Sequence, residues 1–202
     1  YAHFSWNGCD LSRGFPWYVT TEQVDFVELL QFMKINVLDY YDYLNLGFRL
    51  VAAAGSDVPW GSSLGEVRTY VHTGAEFDPD HWFAGLKAGR SFVSNGPALD
   101  FTVDGHLPGT DLQRRSGESV QVFARVRSHE KIGLPEVLRL VSNDGVVQEI
   151  AARTKETELT IRSEIKLERS RWIVASTRCA NGAVAHSSPI YVRVDGQPTW
   201  SA

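Results

Sequence analysis

A carboxylate at the end of a run of small residues is the first feature of this sequence with chemical potential. Asp57 follows Ala53-Ala54-Gly55-Ser56, and a strand that ends this way presents its acid at the sheet edge where ligands of α/β folds gather. Glycine and serine there allow close approach. The plainer alternative is that Asp57 caps the turn Val58-Pro59-Trp60-Gly61 that follows it. His3, in Tyr1-Ala2-His3-Phe4-Ser5-Trp6, is a second candidate, although a single histidine beside aromatics is ordinarily packed or at the surface. Arg68 and Tyr70, in Gly65-Glu66-Val67-Arg68-Thr69-Tyr70-Val71, add a guanidinium and a phenol able to hold an anionic or carbonyl oxygen. An ordinary surface arginine on a strand is the simpler account. Asp25 and Glu28 flank the strand-like stretch Val24 to Leu30, and Glu28 can face the same edge as Asp57. His72, His81, His106, His129 and His186 have no partner at a ligand spacing and read as surface residues. Cys9 and Cys179 form no CxxC or Cys-His spacing and read as free thiols.

Two kinds of pattern position these residues. From Tyr1 to about Gly89 short apolar runs alternate with helix-like stretches, the order expected of βα units around a mainly parallel sheet. Asn36 is a candidate cap for a helix through Leu46, with Leu38, Tyr41 and Leu44 at helical spacing and Gly47 at its end. Leu50 to Ala54 reads as a buried strand delivering Gly55-Ser56-Asp57. Asp78 caps a second helix, with Pro79 in its first turn and Gly89 after its last. After Pro97 the period becomes two, through Leu99, Phe101 and Val103, then Val120, Val122, Ala124 and Val126, then Leu159 and Ile161, and finally Ile190, Val192 and Val194. Asp104-Gly105, Asn143-Asp144-Gly145 and Asn181-Gly182 supply turn chemistry between the runs. About seven strands in this half predict an immunoglobulin-like β-sandwich over residues 98–202, without the Cys-Trp-Cys spacing of antibody domains.

Composition narrows the function classes. The chain has 202 residues, 43% of them hydrophobic and 22% charged, as expected of a folded globular protein. A net charge of -4 without any Lys-Arg cluster argues against nucleic-acid binding. Residues 1–97 carry 6 basic against 11 acidic side chains and residues 98–202 carry 14 against 13, so the acidity lies in the first half. No apolar run reaches the roughly 18 residues of a membrane span. Met33 is the sole methionine, so Tyr1 is not read as an initiator and the chain is expected to be a piece of something longer or processed.

Six segments in order, 1–6, 24–30, 44–50, 53–57, 67–71 and 89–97, resemble the C-terminal portion of the CehA/McbA-like metallohydrolases of the PHP (polymerase and histidinol phosphatase) superfamily. The resemblance runs from Tyr1 to about Gly105. It implies that residues 1–97 belong to a distorted (β/α) barrel holding zinc, manganese or iron, with His3 and Asp57 as metal ligands and Asp57 and Arg68 in the catalytic site. It implies hydrolysis of a small-molecule ester, amide, carbamate or phosphoester by the intact protein. The superfamily's initial His-x-His strand has no counterpart after Tyr1, so this stretch alone is expected to bind metal weakly or not at all and to be inactive. Asp57-Val58-Pro59 stands where many of these proteins have Asp-x-His, a difference shared with the CehA-like branch. The competing expectation is a non-catalytic binding or structural module built on the sandwich. An incomplete parallel sheet leaves an edge, and self-association is one way to bury it. The sandwich itself leans the expected location towards an exported or periplasmic one.

Overall fold

The computed structural model describes residues 2–3, 14–31, 34–61, 63–74 and 77–200. Its first segment folds in βα order. Ala2–His3 (β1) leads to Phe15–Thr20 (α1), Val27–Gln31 (β2), Lys34–Ile35 (β3), Leu38–Asn45 (α2) and Ala52–Gly55 (β4). β2 is the middle of this small sheet, with β1 and β4 parallel to it on either side and β3 folded back antiparallel. All five β2 residues are buried, as a strand covered on both faces requires. No barrel closes among the described residues.

The helix ends show which local signals prevailed. Asn36 does not cap α2. Its main-chain N–H bonds Leu29 O at 3.1 Å, which continues the β2–β3 ladder one residue past β3, and the cap position falls to Val37 without a side-chain bond. Gly47, at φ +90, closes the helix as expected. Pro79–Lys87 (α3) follows the sequence closely: Asp78 Oδ1 accepts the His81 N–H at 3.0 Å, and Gly89 leaves the last turn at φ +75.

Arg68–Val71 (β5) and Ser91–Ser94 (β6) pair antiparallel around α3. Nine further strands follow: Ala98–Val103 (β7), Asp111–Arg114 (β8), Ser119–Arg127 (β9), Pro135–Ser142 (β10), Gly145–Ala151 (β11), Glu158–Lys166 (β12), Arg171–Cys179 (β13), Val184–Ser187 (β14) and Ile190–Val194 (β15). They form a β-sandwich. One sheet has the order β12-β9-β7; the other runs β11-β10-β13-β14-β6-β5, with β15 beside β13 and β8 beside β15. β5 and β6, which precede Pro97, therefore extend a sandwich sheet through the β6–β14 pairing.

The apolar alternation dictates the layers. Leu99, Phe101 and Val103 of β7, with Val120, Val122, Ala124 and Val126 of β9, face Leu138, Leu140, Ile173, Ala175, Ile190 and Val192 across one core. The larger sheet is apolar on its other face too, where Val141, Trp172, Val174 and Tyr191 join Phe15, Leu29, Leu30, Tyr40, Leu44 and Ala52 in a second core. β13 thus buries Ile173 and Ala175 on one side and Trp172 and Val174 on the other. The α/β segment is a third layer on the sandwich. Arg49 reinforces the junction by pairing with Asp111, which also holds Arg193 at 3.0 Å, while its guanidinium lies 4.5 Å from the Tyr191 ring. No described helix is long and apolar enough to cross a membrane.

Candidate functional site

Parallel pairing runs β1, β2 and β4 in one direction. His3 lies opposite Glu28 on β2, and Glu28 in turn lies opposite Ala53 on β4. The His3 side chain lies outside the described residues. Glu28 is buried to 5% exposure, an uncommon position for a carboxylate. Its Oε1 occupies the space where residue 55 would carry a Cβ, so glycine at that position is what admits the acid. Gly55→Ala should lower stability by about 2 kcal/mol through overpacking against Glu28. Urea unfolding checks this, and a double variant with Glu28→Ala should show coupling between the two positions.

Two residues beyond β4, Asp57 has φ +51 and is exposed. Its main-chain carbonyl organises the following turn, accepting from Trp60 N–H at 2.8 Å and Gly61 N–H at 2.6 Å. The strand end is laced to β5 through side chains. Thr69 Oγ1 accepts from Ala54 N–H at 2.7 Å and donates to Ala54 O at 3.1 Å, and Ser56 Oγ donates to Val67 O at 3.1 Å. Because successive strand residues point to opposite faces, turning Thr69 towards β4 turns Arg68 and Tyr70 away from it. Both are exposed; the Arg68 guanidinium sits 5.7 Å from the Tyr70 ring, which stacks on Phe92 at 4.6 Å. Asp25 is also exposed and pairs with Lys87 at 3.4 Å. The structure thus sets the backbones of His3 and Glu28 opposite each other, level with Ala53 of β4, and places Arg68 beside Tyr70. Among the described residues no three His, Cys, Asp or Glu side chains converge as a metal group.

The histidine with the most defined surroundings is one the sequence places at the surface. His186 is fully buried on β14. Its Nδ1 lies 2.7 Å from Ser187 O and its Nε2 lies 2.7 Å from Tyr41 Oη. A carbonyl can only accept, so Nδ1 donates to Ser187 and Nε2 accepts the Tyr41 hydroxyl proton. Burial holds His186 down to about 4 and pushes the Tyr41 phenol above its ordinary range. Tyr41 also stacks on Trp172 at 5.1 Å, whose Nε1 donates to Asn45 Oδ1 at 2.9 Å. This neutral network joins α2 to the sandwich and is structural. Its partners are 145 residues apart, a separation that no local spacing reveals. His72, His81, His106 and His129 are exposed, and Cys179 is a buried free thiol whose pKa burial raises.

No family model and no curated protein matches this sequence. Among solved structures, the fibronectin(III)-like modules of Clostridium thermocellum CbhA align over 48% of this chain and 96% of that one, with 10% identity and a TM-score of 0.34. The sulfur carrier protein SoxY from Chlorobium limicola aligns over 48% and 80%, with 12% identity and a TM-score of 0.32. A beta-glucosidase from Listeria innocua aligns over 69% and 20%, with 14% identity and a TM-score of 0.27.

Proposed function

We propose that this chain is the C-terminal portion of a metal-dependent hydrolase of esters, amides, carbamates or phosphoesters, and that its parallel strands contribute part of a divalent-metal site. The observation that carries this reading is the register that sets His3 opposite a buried Glu28, with β4 running parallel beside them towards the exposed Asp57. In this reading the four-stranded sheet is a section of a PHP-type (β/α) barrel, the sandwich is immunoglobulin-like, and further ligands lie on other strands of the whole protein. One imidazole and one carboxylate suit zinc, manganese or iron. His3 and Asp57 would hold such an ion, which when bound would supply Lewis acidity and a more acidic water. Glu28 lies behind them on β2, and Gly55 leaves room for it. Arg68, which the resemblance puts in the catalytic site, lies beside the Tyr70 ring on the side turned away from β4 and holds no part of this ligand set.

The second reading is a non-catalytic module. It is favoured by the doubly packed middle sheet, in which the α/β segment serves as a packed layer on the sandwich. Metal content separates the two. The whole protein, purified without chelator, should retain zinc, manganese or iron, and His3→Ala or Asp57→Ala should weaken metal binding by about 100-fold or more. Full metal retention by both variants, or a metal-free whole protein, would overturn the hydrolase reading. This 202-residue chain alone should not hydrolyse aryl esters or phosphoesters above background.

A further inference from the structure

Away from the Glu28 edge, a cleft of about 330 Å³ lies where the β5–β6 pair meets β7 and the segment after it. Tyr70 and Phe92 form one wall, their rings parallel to within 5°. Leu99, Phe101, Leu107 and Pro108 supply further apolar lining. None of Glu28, Gly55 or Asp57 takes part.

The cleft is lined by one guanidinium, Arg90, and one carboxylate, Asp100, with His72 beside Arg90. His72 N–H bonds Arg90 O at 2.9 Å, which sets these two exposed residues opposite each other at the end of the β5–β6 ladder. Asp100 is the acid of the lining, but it is engaged by Arg125 at 2.8 Å and Arg127 at 3.3 Å on the neighbouring strand. Arg90 has no carboxylate within ion-pair distance among the described residues. An apolar slot whose one lining guanidinium is paired with no described carboxylate selects a ligand with a flat apolar body and one anionic end. The volume is near the small end of ligand sites, at roughly 300 Å³, and suits one or two rings rather than a peptide.

We propose that this cleft binds a small aromatic carboxylate, its rings against Tyr70, Phe92 and Leu107 and its carboxylate on the guanidinium of Arg90. Titration of the full chain with 2-naphthoate, followed by ligand-observed NMR and calorimetry, tests this. Binding is expected with a dissociation constant of about 1 mM or tighter, as expected of a ligand of this size. Its neutral counterpart 2-naphthylmethanol should bind about tenfold more weakly, because it lacks the charge-assisted bonds. Arg90→Gln should weaken naphthoate by about tenfold and change the alcohol by less than about twofold. Tyr70→Ser should weaken both compounds. Equal binding of naphthoate to the wild type and Arg90→Gln, or no binding at several millimolar (roughly the weakest affinity compatible with a built site), would overturn the assignment.

Discussion

Trp172→Ala should lower the unfolding free energy by about 4 kcal/mol, the range for deleting a large aromatic from a core. The indole is fully buried on the face of β13 that receives the α/β layer. Removing it opens a cavity, ends the 5.1 Å stack with Tyr41 and leaves Asn45 Oδ1 without its 2.9 Å donor. Trp172→Phe keeps an aromatic body and loses mainly the hydrogen bond and part of the volume, so its loss should be about half as large. Guanidinium unfolding followed by circular dichroism checks both. One cooperative transition, shifted to lower denaturant, is expected because Trp172 couples the α/β layer to the sandwich. A transition in which the sandwich midpoint stays fixed would mean that the third layer unfolds independently.

Acid should weaken the same junction. His186 is held near 4 in the folded chain, against an ordinary value of 6.5. The unfolded chain therefore takes up the proton first as pH falls, and between these two values it binds more protons than the folded chain does. The stabilisation is fully present above pH 6.5 and is lost progressively below it, by about 2 kcal/mol at pH 5 and about 3 kcal/mol at pH 4. The groups facing the imidazole are the Tyr41 hydroxyl, the Ser187 carbonyl and the Tyr40 ring; none of them carries a negative charge, and the Ser187 carbonyl offsets only part of the burial penalty on an imidazolium. Protonation at Nε2 would also remove the acceptor of the Tyr41 hydroxyl. His186→Gln should be less stable at neutral pH but should lose less between pH 7 and pH 5. Equal losses in the two proteins would assign the acid sensitivity to other groups.

Much of the fold is legible in local patterns. Asp78, Pro79 and Gly89 bound α3 because capping is a contact between near neighbours in the chain. Period-two alternation marks β7, β9, β12 and β15, and those apolar residues line the sandwich core. Asn36 shows where local reasoning fails: a ladder bond to Leu29 overrode its capping preference. The continuous burial of Trp172, Ile173, Val174 and Ala175 reflects two layers on opposite sides of one strand, a fact about distant segments.

The candidate residues divide in the same way. Sequence by itself determined that His3 and Asp57 stand at the ends of strand-like runs and that Glu28 lies within one, because those runs are set by adjacent residues. Only tertiary structure decided that the three strands run parallel with His3 opposite Glu28, that Thr69 turns Arg68 away from β4, and that His186 is interior rather than exposed. The physical reason is that side-chain identity fixes what a group can donate, accept or ligate, whereas register and burial fix whether it meets a partner. Those are set by pairings between segments far apart in the chain.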